Sequence, residues 1–412
     1  MVYCTASGRP CRPLAGRGVY LAARCAAWVG TGPHKMRLPA IAVRGSADAS
    51  KILKMRQMPS TPTSTRRGSS AGLPPTPAQS SNHSRVRTMF AAADTTQIEL
   101  ISLANCCWSG APPEFRASSW RRLCGIESEN PALLTTNRAA YRKLVDKLGP
   151  ADGVASDQPT WHQIADLDLP RNAPDLPGMQ TPPVRALVSR LLYIWAARHP
   201  ACGYVQGIMD VVTPLVAVFA GHRGYDMTTG KDDGITEDQW LDVEADCFYT
   251  FQAILAAFQD AYTASQPGIH RMLRQLGSAL SHVCPEVKQH MDEVGADLLH
   301  VCFRWMNCLL LRELPLALDI RLLDTYLSEL AETGHSTLGT QAGLPLYHVF
   351  VCAALLAQFS AGILEADFQQ TVHLLQHVRT LTDSWGDEEL AEVLAQAHLW
   401  RNQYWSPGRL SD

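Results

Sequence analysis

Two short polar stretches hold the side chains that could do chemistry as a pair. In the first, Asp168 stands three residues before Arg171, in a segment broken by Pro170, Pro174 and Pro177, so Arg171 is expected on a loop. The second runs Gly203-Tyr204-Val205-Gln206-Gly207, after Pro200. Neither Arg nor Gln titrates near neutrality, which argues against proton transfer between them. The two types together suit phosphoryl transfer, where a guanidinium neutralises developing charge and an amide orients the attacking water. Singly each is bland: a loop Arg is by default a surface or capping residue, and a lone Gln carries no information.

Something rigid must hold such a pair. Between the stretches, Leu187, Leu191, Ile194 and Trp195 recur at helical spacing. The spacing predicts a helix with the Arg loop at one end and the Tyr-x-Gln loop at the other.

At these residues the chain resembles the TBC-domain Rab GTPase-activating proteins, whose paired signature is matched by Asp168-x-x-Arg171 and Gly203-Tyr204-Val205-Gln206-Gly207. The resemblance extends over roughly 108–405: Arg116-x-x-x-Trp120 resembles the opening motif, Arg304-Trp305-Met306-Asn307 with Arg312-Glu313-Leu314-Pro315 the start of the second half, and Arg321-Leu322-Leu323-Asp324-Thr325-Tyr326 a later helix. The stretches IWAARHPACGYVQGIMD and FRWMNCLLLRELPL, with Trp385-Gly386-Asp387-Glu388-Glu389, are similar to the branch of TBC domain family member 22 and its fungal Golgi relatives. The chain departs from the pattern at Ala165, where Ile is usual and Ile164 stands one place out, and at Asn172, Met209 and Leu323.

The resemblance implies that Arg171 and Gln206 are two catalytic fingers inserted into a GTP-bound Rab. Asp168, Tyr204, Gly203 and Gly207 would support them, Asp168 by hydrogen-bonding the loop backbone or bracing the guanidinium and Tyr204 by orienting the Gln loop. Arg116, Trp120, Arg304, Trp305, Asn307 and Asp324 would be structural. The chain itself would need no cofactor, since GTP and Mg belong to the Rab, and would be an activator rather than an enzyme. Golgi adaptor proteins are further candidate partners. The implied place is cytoplasmic, peripheral at Golgi or endomembranes, in vesicle-mediated transport.

Composition agrees with a large soluble core. The 412 residues are 46% hydrophobic and 18% charged. The net charge of −3 hides a split: residues 1–90 carry 14 Lys or Arg and one acid, and the rest 22 basic against 38 acidic residues. An acidic body argues against nucleic-acid binding. The 12 Cys include no Cys-x-x-Cys pair, and Cys106-Cys107 are too close to share a metal, so buried reduced thiols are expected. The longest apolar run, 211–220, contains Pro214 and falls short of a bilayer span.

Residues 1–90 read as a disordered basic tail. The Ser, Thr, Pro and Gly of 59–84 cannot bury enough apolar surface to fold, and Thr61-Pro62 and Thr76-Pro77 are candidate phosphorylation sites. Residues 9–31 share the composition of organelle transit peptides; the cytosolic work of the resembling family weighs against that reading. A start placed too far upstream, with Met36, Met55 and Met89 as later candidates, competes with both.

The fold expected is all-α: a TBC domain of two packed helical subdomains, 91–262 with both fingers and 263–405. Helices are expected over 116–123, 138–148, 243–258, 269–283, 285–294, 297–313, 321–330, 346–359, 366–378 and 388–403. Residues 298–311 look apolar nearly all round, a central buried helix in which Asn307 satisfies a buried group. Loops are expected over 150–159, 223–239 (a polar surface insertion) and 333–343. No metal is expected: His373 and His377 stand at i, i+4, but Leu374 replaces a zinc-peptidase Glu. No Gly-x-Ser-x-Gly or Gly-Lys phosphate loop occurs. Two classes of function remain, a Rab activator and a TBC scaffold that holds Rabs or adaptors without catalysis. Retention of both Arg171 and Gln206 favours the first.

Overall fold

The computed structural model describes residues 77–92, 98–149, 159–332 and 343–404. Fourteen helices of eight residues or more occur among them, with no strand. In chain order they are α1 Pro77–Ala91, α2 Leu100–Cys107, α3 Pro113–Leu123, α4 Ala132–Leu148, α5 Pro182–Arg198, α6 Met209–Gly221 and α7 Glu237–Ala257, then α8 Pro267–Val283, α9 Pro285–Glu293, α10 Leu298–Asn307, α11 Leu316–Glu332, α12 Leu344–Gln358, α13 Phe368–Gln376 and α14 Asp387–Tyr404. Local sequence sets many of their starts. Pro opens α3, α5, α8 and α9, where its missing N–H costs nothing. Thr236 with Gln239 and Asp367 with Gln370 form reciprocal capping boxes on α7 and α13.

The halves share one continuous apolar core. The early helices α2 and α3 pack on α11, from late in the chain. Asp324 on α11, fully buried, is the polar centre of that packing. It accepts from Trp120 Nε1 at 2.7 Å, the Ala111 amide at 2.9 Å and Arg116 Nε at 3.1 Å. A buried carboxylate is tolerated only with such partners, and this explains why Arg116, Trp120 and Asp324 stand where they do. A second buried acid, Glu244 on α7, takes hydrogen bonds from Tyr141 at 2.7 Å and Arg190 at 2.8 Å, and so fastens α4 and α5 to α7.

Four expectations need correction. The tail expected to reach residue 90 overlaps α1, which packs on α2 and α3: Val86 is fully buried, Phe90 stacks on Phe115, and Gln79 donates to the Ser109 carbonyl. Its sequence is polar, so tertiary contact rather than patterning makes it a helix. The insertion at 223–239 is not purely surface, since Tyr225 and Met227 are buried and α7 begins at Glu237. The helix expected over 297–313 ends at Asn307, because Leu309 and Leu310 take left-handed backbone with φ 52° and 65°. That turn lets Glu313 come back to Arg304 as a two-pronged pair at 2.6 and 2.8 Å. Finally, the helix expected over 366–378 breaks at His377, and a short turn Val378–Thr382 follows. The loops expected at 150–159 and 333–343 and the phosphorylation sites at 61 and 76 lie almost wholly outside the described residues.

The described cysteines are all free, and most are buried. Burial pushes the Cys107 and Cys124 thiols up to about 12, which leaves them unreactive at neutral pH. Among the described residues no helix is long and apolar enough to cross a membrane, and no three His, Cys, Asp or Glu gather to hold a metal. The His373 and His377 rings stack on one another, and His377 Nδ1 lies 2.8 Å from the His373 carbonyl.

Candidate functional site

Arg171 does not sit on an irregular loop. It ends a continuous helical run: an α-turn Pro159–His162, a wide π-turn Gln163–Asp168 and a tight 3-10 turn Leu169–Arg171. The wide turn accommodates the one-place offset of the sequence: Ile164 is fully buried, and Ala165 is also buried beside it. Pro170 then tightens the run, and Asn172 leaves it in extended backbone. The Arg171 side chain is exposed.

The run is fastened from behind. Gln180 donates to the carbonyls of Leu169 and Asn172, both at 3.2 Å, and Arg185 donates to Gln180 Oε1 at 3.0 Å and to the Ala165 carbonyl at 3.2 Å. Gly178 lies against the insertion, its amide donating to the Met227 carbonyl at 2.9 Å. A Cβ on Gly178 would fall 2.4 Å from that same carbonyl oxygen, so only glycine fits.

Gln206 lies in the turn between α5 and α6, bounded by Gly203 (φ 62°) and Gly207 (φ 105°). Its side chain is exposed. Its backbone is not free, because the Asn307 amide donates to the Gln206 carbonyl at 2.8 Å. Gly207 permits this approach: a Cβ there would lie 2.3 Å from Asn307 Nδ2. Asn307 in turn gives its own carbonyl to Tyr262 at 3.0 Å.

The two segments are joined directly. The Tyr204 hydroxyl donates to Asp168 Oδ2 at 2.9 Å, and Gln163 donates to the same oxygen at 3.0 Å. Asp168 thus braces the Tyr204 side chain, where the sequence suggested loop backbone or guanidinium. Burial, with Asp168 adjoining, drives the Tyr204 hydroxyl above its ordinary range, so it stays a donor. A second tie runs deeper. Asn172 Nδ2 donates to Asp210 Oδ1 at 3.0 Å, and Thr213 donates to Asn172 Oδ1 at 2.9 Å. Burial pushes the Asp210 carboxyl up to about 6, against the opposing pull of Arg312.

Among the described residues, neither the Arg171 guanidinium nor the Gln206 side-chain amide has a hydrogen-bond or ion-pair partner in the chain, while the backbone of both segments is tied down. Arg116, Trp120 and Asp324 come together away from them, under α2 and α3, as do Arg304 and fully buried Trp305. Sequence reasoning missed Gln163, Gln180, Arg185, Asp210 and Thr213. Asp210 and Thr213 follow the Gln loop closely, but each finds Asn172 some forty residues back, a pairing that local spacing does not reveal.

A model of the Rab-GTPase-TBC domain family matches residues 113–364. The chain is 35% identical over 340 residues to human TBC1 domain family member 22B, covering 80% of this chain and 63% of that protein. It is 33% identical over 338 residues to the GTPase-activating protein gyp1 of Schizosaccharomyces pombe, covering 79% and 62%. The chain therefore spans under two thirds of the length of these relatives. In three dimensions it is similar to the crystal structure of the Ypt/Rab-GAP domain of Gyp1p, with a TM-score of 0.70 and 33% identity over 79% of this chain and 99% of that one.

Proposed function

The chain belongs to the Rab-GTPase-TBC domain family, and from that premise we propose that it activates GTP hydrolysis by a Rab, lending Arg171 and Gln206 to the partner's active site. Intrinsic hydrolysis by such GTPases is slow because charge on the transferring phosphoryl group is poorly neutralised and the water poorly held. Arg171 supplies the neutralising fork and Gln206 the orienting amide. GTP and Mg belong to the Rab in its GTP-bound state, so the activator contributes side chains in trans and is not an enzyme alone. The proposed setting is vesicle-mediated transport at the cytosolic face of Golgi or other endomembranes, with Golgi adaptor proteins as further partners.

The observation that carries this reading is the contrast between free side chains and fixed backbones. Arg171 and Gln206 are exposed and unpartnered among the described residues, while Asn172 is tied to Asp210 and the Gln206 carbonyl to Asn307. Groups held this way are preorganised for charge that develops elsewhere. The test is single-turnover GTP hydrolysis across a panel of purified Rabs, with wild type, Arg171→Ala and Gln206→Ala. Activation of at least one Rab by wild type, lost in both variants, is expected. Full activation by Arg171→Ala, or a Gln206→Ala protein equal to wild type, overturns the reading.

A further inference from the structure

Leu309 and Leu310 occupy the left-handed region in succession, with φ 52° and 65°, although side chains avoid it. Such strain persists only where the surroundings impose it, and it gathers at functional sites. Both leucines are buried, and the turn is closed by hydrogen bonds from the Leu310 amide to the Trp305 carbonyl at 3.0 Å and from the Glu313 amide to the Leu310 carbonyl at 2.8 Å. The turn presents three side chains to the finger-bearing segments. Asn307 holds the Gln206 carbonyl at 2.8 Å. The Cys308 thiol hydrogen-bonds the Asp210 carboxylate, and Arg312 Nε stands 3.8 Å from Asp210 Oδ1. That same oxygen accepts from Asn172, the residue after Arg171. Pro214 has no N–H to offer the Asp210 carbonyl four residues back, so the side chain is the firmer tie at the start of α6.

We propose that Asp210 is a positioning residue for activation: anchored on the strained 307–312 turn, it fixes the backbone of Arg171 through Asn172 while Asn307 fixes Gln206. One rigid piece of the second half then sets the separation of the two catalytic side chains. This rests on the reading of Arg171 and Gln206 as the catalytic pair. The geometry gives it a titration. Arg304, Arg312, Glu313, Cys308, Asp319, Tyr204 and Tyr262 face Asp210 from the neighbouring elements. Ionised, Asp210 draws Arg312 and accepts from Asn172. Protonated, as pH falls through about 6, it loses its attraction for Arg312.

The experiment uses the full chain and the Rab from a purified panel that wild type activates most. Single-turnover hydrolysis at saturating activator, affinity for the GTP-loaded Rab and thermal melts are measured for wild type, Arg171→Ala, Asn172→Ala, Asp210→Ala and Asp210→Asn. Each rate is divided by the Rab's own rate at that pH. Asp210→Ala and Asn172→Ala are expected to lower the saturated rate roughly 10- to 100-fold, as small misplacement of a catalytic group does, with affinity nearly unchanged. Asp210→Asn keeps an acceptor for Asn172 and keeps most of the rate. Wild type loses activation below about pH 6, and Asp210→Asn does not. If Asp210→Ala fails to fold, Asn172→Ala and the pH profile of Asp210→Asn decide. The positioning role is overturned by wild-type rates in the folded Ala variants, by a loss seen only in affinity, or by the same acid-side fall in Asp210→Asn. Arg171→Ala separates the two levels: if it is inactive while Asp210→Ala is fully active, only the positioning role fails, and if it is fully active, the catalytic pair fails and this role with it.

Discussion

The Asn307 amide nitrogen stands 2.8 Å from the Gln206 carbonyl oxygen, joining residues 101 positions apart. Asn307 is buried, and a leucine there would leave that carbonyl without its donor. Asn307→Leu should therefore destabilise the fold by about 1–3 kcal/mol, the cost of a buried group left unpaired. Activation should fall as well, because the Gln206 turn loosens. Chemical denaturation and single-turnover hydrolysis measure the two effects. Unchanged stability with lost Rab binding would put Asn307 on the partner's surface instead.

The fingers can be separated from their supports. Arg171→Lys should rescue Arg171→Ala only weakly, because an ammonium cannot fork across two oxygens as the planar guanidinium does. An arginine supplied in trans is worth roughly 10³–10⁵ in rate. If Gln206 takes over the water-orienting task, a Rab whose own catalytic Gln is changed to Leu should still respond to wild type. No response from that Rab, with a normal response from its parent, would count against Gln206.

Asp324 offers a test of stability. It is fully buried with three donors, Trp120, Arg116 and the Ala111 amide. Asp324→Ala strips the Arg116 guanidinium of its carboxylate, and breaking such a pair costs about 3–5 kcal/mol. The urea midpoint should drop sharply or the protein should fail to fold, and a variant within about 1 kcal/mol of wild type would show that the cluster carries little.

The start of the fold can be located by trimming. Removal of 1–76 leaves every packed contact of α1 in place. Removal of 1–91 takes away Val86, the Phe90–Phe115 stack and the Gln79 bond to Ser109. The longer deletion should melt several degrees lower than the shorter, since each lost kcal/mol moves the midpoint by about 2–4 °C in a domain of this size. Equal melting temperatures would mean that α1 contributes nothing.

Acid stability should follow His348. It is fully buried between Tyr326, at 2.6 Å, and the Trp305 carbonyl, at 3.1 Å, and burial lowers its imidazole to about 4. The folded state holds it neutral while the unfolded chain charges it near 6.5, so its stability is present above about 6.5 and is lost as pH falls through about 4. Asp210 runs the other way. Its raised carboxyl favours the protonated fold, so its contribution is present below 3.8 and is lost as pH rises through about 6. Denaturation from pH 7 to 4 should show a steeper decline in wild type than in His348→Gln.

The sequence made the catalytic pair legible because Arg171 and Gln206 each lie in a short motif whose members are neighbours in the chain. Most helices were legible for the same reason, since Pro starts and apolar spacing are local. Three features were not. The helix α1 is polar in sequence, and its order comes from Val86, Met89 and Phe90 meeting α2 and α3. Leu309 and Leu310 read as one more helical turn, since nothing in two leucines announces a left-handed backbone. Asp210 looked like one residue of a motif, whereas its partners Asn172 and Arg312 lie on either side of it at long range.

The π-turn at Gln163–Asp168 has a consequence for how this chain can vary. A wide turn is an α-turn that has absorbed one extra residue. Each residue rotates a helix by about 100°, so shortening that stretch by one position would swing the aim of Arg171 through about that angle. The core could survive such a deletion by sliding Ile164 or Ala165 into the same apolar site, as both are already buried. A deletion anywhere in 163–168 would then give a protein of near-normal heat tolerance whose guanidinium points away from its target. Natural variation should tolerate substitutions in this stretch far more readily than changes in its length.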